Sequence, residues 1–216
     1  MKKICLVLAG IVGALVSQQA QAITLNFSSL TDADVVFQNG GFSFVNNGSG
    51  DSFNITTSSG VGDAVGDDGN ISGSYSIGTV HMAGPSQSAT VTGSGILTIS
   101  DGGLDLTGNL IWGSIGTFGT GGTVNVTGTL NVTSIAYSGT QSDLLALAAA
   151  GAASDVITFQ LGTGQTLNTL KATTSPITSS FSGTITAPNV PDGGTTVLLL
   201  GVGLSAIGLL RKKMLA

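Results

Sequence analysis

Glutamate is missing from all 216 residues, and arginine occurs once, at Arg211. Cysteine, histidine and tryptophan also occur once each, as Cys5, His81 and Trp112. A lone cysteine cannot pair within the chain. Cys5 lies at the start of an apolar stretch that reads as part of an export signal, so the remainder has no thiol, and disulfide staples and thiolate zinc are excluded there. Cys5 also lacks the downstream position of a lipoprotein cysteine, which argues against a lipid anchor. A body of about 165 residues can bury a sufficient core without staples.

Positive charge is as scarce. Between Ile23 and Val190 the only base is Lys171, against ten aspartates, which leaves this body with a net charge of −9. A nucleic-acid partner is excluded, because phosphate contacts by Lys and Arg supply most of such affinity. Nucleotide binding is unsupported as well: no Gly-Lys-Ser/Thr loop exists, and the glycine clusters fall between strands rather than before a helix.

What is present concentrates at the two ends. Met1-Lys2-Lys3, an apolar run from Ile4 to Val16 and the small-residue pattern Ala20-Gln21-Ala22 make a secretory signal peptide, residues 1–22, with cleavage expected after Ala22. At the other end stands Val190-Pro191-Asp192-Gly193-Gly194, followed by an uncharged apolar run to Leu210 and then Arg211-Lys212-Lys213. A run of about 15 residues is short of the ~20 that a straight transmembrane helix uses, but Gly193, Gly194 and Thr195 extend it and the basic side chains can snorkel. A membrane helix over 195–210 is expected, with the basic tail 211–216 on the cytoplasmic side. Pro191 keeps the motif out of a helix or central strand, leaving it extended and accessible.

This order of short proline motif, apolar helix and terminal basic cluster resembles the PEP-CTERM class of bacterial sorting signals. Val190 to Gly194 is similar to the variant written Val-Pro-Asp-Ser-Gly, with Gly193 at the serine position, and the resemblance covers only the last 27 residues. It implies that the tail is read by an exosortase-type membrane protease, that Val190, Pro191, Asp192, Gly193 and Gly194 are the recognition segment, and that Arg211, Lys212 and Lys213 hold the topology. It implies further that the cell is a Gram-negative bacterium that makes exopolysaccharide, a possible partner of the exported body.

Residues 23–189 read as that body. The whole chain has 34 glycines and the body is rich in Gly, Ser, Thr and Asn, yet its apolar residues alternate with polar ones as strands require. Ile23, Leu25 and Phe27 share one strand face; Val35–Phe37 and Phe42–Val45 flank the hairpin signal Asn39-Gly40-Gly41. A long loop is expected from Thr56 to Ser72 and another strand over Thr123–Thr133, where Gly128 on the apolar face suggests a bulge or a close backbone approach. Ser142 is expected to cap a short helix ending at Gly151, with Asp143 in its first turn, and Thr166–Leu170 is expected to be strand. Echoes such as Leu106-Thr107-Gly108 and Val126-Thr127-Gly128 lack the fixed period of a solenoid. The fold class is all-β, a jelly-roll-like β-sandwich with one short helix, the alternative being a right-handed β-helix.

Candidate chemistry in the body is sparse. Gly50-Asp51-Ser52 resembles a hydrolase serine context with His81 as the sole imidazole, but the same residues are ordinary turn vocabulary. Glycosidase chemistry would have to use scattered aspartates. Asp63, Asp67 and Asp68 are oxygen donors for calcium, off the EF-hand spacing. Trp112, Tyr75 and Tyr137 form a sugar platform only if they leave the core. The reading that follows is an exported, non-enzymatic surface or extracellular-matrix protein without a cofactor; the alternatives are a carbohydrate- or calcium-binding module and, behind it, a secreted hydrolase using Ser52.

Overall fold

The computed structural model describes residues 22–118, 124–162 and 165–188, and residues 22–188 make one compact unit. The predicted signal peptide up to residue 21, the tail from residue 189 and its expected helix lie outside the described residues. Every strand pairing described is antiparallel, which removes the parallel β-helix alternative and leaves the all-β class.

The strands are β1 (Ile23–Ser29), β2 (Asp34–Gln38), β3 (Gly41–Val45), β4 (Phe53–Ser58), β5 (Asp68–Ile77), β6 (His81–Ala83), β7 (Ser86–Thr92), β8 (Ser94–Ser100), β9 (Asp105–Phe118), β10 (Val124–Ala136), β11 (Ala152–Leu161), β12 (Ile177–Ser179) and β13 (Phe181–Ala187). Two helices, α1 (Ser142–Ala150) and α2 (Leu167–Ala172), interrupt them. Hydrogen bonding runs from β5 through β8, β9, β10, β11, β13, β1 and β4 and returns to β5, so these strands close into a ring. Closure leaves the ring without free edges. The hairpin β2–β3, with β12 on its outer edge, continues from the far half of β5. Its inner face packs on the ring: Phe42 meets Trp112 with ring centroids 4.9 Å apart, Phe37 meets Phe159 at 5.6 Å and Phe44 meets Phe181 at 4.9 Å.

Local chemistry explains these elements. The β2–β3 turn uses Asn39 and Gly40 at φ 53° and 82°, the pair of positive φ values that a two-residue hairpin of matching twist needs. Strand β5 leaves the ring after Gly73 (φ 119°), which pairs with Gly95 of β8, and β7 passes into β8 at Gly93 (φ 124°); a Cβ on Gly73 would lie 2.6 Å from the Ser94 carbonyl oxygen and one on Gly93 2.4 Å from that of Ser74. In β1, Ile23, Leu25 and Phe27 are buried, as the alternation predicts.

Three expectations are corrected. The long loop is shorter than expected, because β4 runs to Ser58 and β5 begins at Asp68. Thr166–Leu170 is not strand: Thr166 and Thr169 form a reciprocal capping box and Leu167 and Leu170, three apart, are buried on one face of α2. The N-cap of α1 is Gln141, not Ser142, and its side chain makes no capping bond.

Candidate functional site

The chain enters and leaves the body at one pole. Ile23, the first residue of β1, pairs with Ala187, the last of β13, so Ala22 and Pro188 emerge side by side. The residues after β4 cover the same pole: the Ser59 amide donates to the Thr24 carbonyl at 2.9 Å and the Thr24 amide to the Ser59 hydroxyl at 2.9 Å. Of the residues expected at the signal cleavage site, Ala22 is exposed at this pole, while Ala20 lies outside the described residues.

Helix α1 is fastened here by two carboxylates acting in opposite directions. Asp63, from the loop between β4 and β5, accepts the amides of Ser142 and Asp143 at 2.5 and 3.0 Å, supplying the cap that the helix lacks. Asp143 in turn accepts the loop amides of Val61 and Gly62 at 2.7 and 2.9 Å. Gly60 is required for this contact, since a Cβ there would lie 2.1 Å from Asp143 Oδ1. Burial pushes the Asp63 carboxyl up, but the Asp143 and Ser142 amides outweigh it and hold the group below the usual carboxylate range.

The aspartates considered for calcium are engaged separately. Asp67 receives the Gln141 side-chain amide at 3.2 Å and Asp68 that of Asn54 at 2.8 Å, while Asp63 is taken up by the helix cap. Burial raises the Asp67 carboxyl, the Gln141 bond lowers it, and Asp101, Asp63 and Asp68 raise it further. Among the described residues no three His, Cys, Asp or Glu side chains gather as a metal-binding group, so the structure does not bring Asp63, Asp67 and Asp68 together for that purpose.

Ser52 and His81 are likewise apart in role. Ser52 is sealed under β5, accepting the Ile71 amide at 3.0 Å, whereas His81 is exposed on the short edge strand β6, hydrogen-bonded only to β7 among the described residues. Trp112 and Tyr75 are 4% and 2% exposed and lie ring against ring in the core, so neither faces a sugar. Tyr137 is bonded to the Asp101 carboxylate at the β8–β9 turn.

Sequence reasoning missed the outer face of the ring. Register aligns Ser114, Thr129, Val156, Thr184, Asn26 and Thr57 in one row across β9, β10, β11, β13, β1 and β4. Their side chains bond to one another: Ser114 with Thr129 at 3.1 Å, Thr184 to Asn26 at 2.7 Å and Asn26 to Thr57 at 2.6 Å. A parallel row holds Asn131, Ser154, Thr186 and Thr24. Strands β1, β4, β10 and β13 carry no charged residue, and the one on β11, Asp155, points inward. The signal was in the Thr/Ser/Asn at alternate positions of each strand, but only the pairing register joins them into rows.

Directly after the last described residue of the unit, residues 189–214 match the model of the VPDSG-CTERM motif. The chain ends in a VPDSG-CTERM motif. The motif therefore starts one residue beyond Pro188, the last described residue of the unit. No curated protein and no solved structure matches the chain. Val190, Pro191, Asp192, Gly193 and Gly194, with Arg211, Lys212 and Lys213, fall within the motif and outside the described residues. Among the described residues no helix is long and apolar enough to cross a membrane.

Proposed function

We propose that this chain is an exported surface or extracellular-matrix protein without catalytic activity. A signal peptide, residues 1–22, sends it out. The apolar segment 195–210 holds it in the inner membrane until an exosortase-type protease acts at Val190–Gly194 and passes the all-β body to the cell surface. The observation that carries this reading is the VPDSG-CTERM motif beginning where the compact unit ends. Replacing Val190–Gly194 with a Gly-Ser linker tests the reading in the native cell. The altered chain is expected to stay full-length in the membrane fraction while the unaltered body is released; equal release of the two contradicts it.

A second reading is favoured by the uncharged rows of hydroxyl and amide groups. They suit a neutral polysaccharide, whose hydroxyls are matched by such donors and acceptors, more than a polyanion facing a body of net charge −9. Co-sedimentation of the protein with neutral polysaccharide, lost in a Thr129→Val, Thr184→Val double variant, would support it. Absence of binding to both neutral and anionic polysaccharides leaves the first reading alone.

A further inference from the structure

Strand β11 carries its one ionisable residue on the wrong face. Ala153, Asp155, Ile157, Phe159 and Leu161 point inward, while Val156 points out and is 38% exposed. Register fixes this from both sides, since Asp155 lies opposite Leu130 of β10 and Ile185 of β13, both buried. A one-residue slip would free the carboxyl only by burying Ser154, Thr158 and Gln160 in place of Ile157 and Phe159. Asp155 has no exposed surface, and among the described residues neither of its oxygens has a hydrogen-bond partner.

Among the described residues no counter-charge faces it. Strands β10, β12 and β13, and β1 beyond them, carry no titratable side chain. Helix α1, packed on β10, β11 and β1, brings only Asp143, whose carboxylate is turned to the loop amides of Val61 and Gly62. Lys171, the single base of the body, donates to the Gly78 carbonyl at 2.6 Å from α2, a helix packed on β2 and β7. An ionised carboxylate among Leu, Ile and Ala would lose its hydration with nothing in return.

We propose that Asp155 is a proton-dependent lock on the body: buried as the neutral acid, it lets β10, β11 and β13 close over it, and loss of its proton forces them apart. Burial holds this carboxyl well above the ordinary carboxylate range; the neighbouring Val156 amide, too poorly placed to make a hydrogen bond, acts in the opposite direction and does not outweigh it. The sign of the effect follows. Below the unfolded-state pKa both states are protonated and the lock has no influence on stability. As pH rises from there toward the folded-state value, the folded chain holds one proton more than the unfolded chain, and the folding constant falls about tenfold per pH unit.

Urea unfolding of the full-length chain in non-ionic detergent, from pH 5 to pH 9, tests the lock against Asp155→Asn. The amide keeps the shape and cannot ionise. The ratio of folding constants, variant over wild type, is expected to climb about tenfold per pH unit until Asp155 titrates in the folded state. Asp51 and Asp67 cancel in that ratio, and parallel curves for the two proteins would overturn the proposal. Should the variant not fold, the carboxyl carbon shift of Asp155 in the wild-type protein decides: the protonated value at pH 7 supports the lock, and the ionised value refutes it.

Discussion

Phe53, Phe27 and Trp112 each lie over a glycine of a neighbouring strand. A Cβ on Gly69 would come within 2.3 Å of the Phe53 ring, one on Gly183 within 2.3 Å of Phe27 and one on Gly128 within 2.1 Å of Trp112. This is how a chain with few aromatics and many glycines fills a core: the ring occupies the space that a side chain would have taken on the partner strand. Alanine at Gly69, Gly128 or Gly183 is expected to destabilise the body by about 1–3 kcal/mol through overpacking. Gly48, with no atom within 4 Å of its would-be Cβ, is the control and should shift stability by less than about 0.5 kcal/mol in the same urea titration. The close approach at Gly128 was readable, since a glycine amid Val126 and Leu130 leaves a gap that something must fill. That the filler is Trp112 was not, because the ring comes from another strand.

At the scale of elements, the two carboxylates between α1 and the β4–β5 loop act as one fastening. Asp63→Ala removes a helix cap and is expected to destabilise by about 1 kcal/mol. Asp143→Ala should have the larger effect, because it strips the loop amides of Val61 and Gly62 of their acceptor. The double variant should fall short of the sum of the two, which a double-mutant cycle by thermal unfolding would measure. Acid should loosen the same fastening. Asp63 is held below the ordinary carboxylate range, so its contribution is present above the unfolded-state value and lost as pH falls through the folded-state one. Faster hydrogen exchange at the Ser142 and Asp143 amides, relative to the α1 interior, should appear in that acid window.

Alternation and turn chemistry made β1, β2, β3 and the Asn39-Gly40 hairpin legible, because each depends on neighbours in sequence. Strand β5 was read too late since Gly69 leaves its inward position to a ring of Phe53, and α2 was missed because Leu167 and Leu170, spaced for a helix, sit among threonines that favour strands. The true cap of α1 comes from Asp63, far away in sequence. Asp155 alternates in step with Ile157, Phe159 and Leu161, but it precedes the apolar run, and the pairing with Leu130 and Ile185 fixes it inward.

For the whole molecule, residues 22–188 form a closed ring whose first and last strands end at one pole and whose outer face is uncharged over a broad area. Its carboxylates respond to pH with opposite signs. Asp63 and Asp101 lie below the ordinary range, the former against a burial contribution and the latter chiefly through Tyr137; Asp51, Asp67 and Asp155 are raised, first by burial. Stability should therefore peak in mild acid, close to the ordinary carboxylate range, and decline on both sides. Thermal unfolding across pH 3 to pH 9 would display that maximum. The tail stood out in the sequence because a sorting signal is read linearly, by order and composition, and its match covers residues 189–214.

Whether that signal is used is decided by the covalent ends of the mature protein. Intact mass and terminal peptide mapping of the molecule recovered from the native cell surface should give an amino terminus at Ile23 and a carboxyl terminus within or next to Val190–Gly194, with Arg211–Ala216 absent. Recovery of most surface molecules with Arg211–Ala216 still attached would contradict the account.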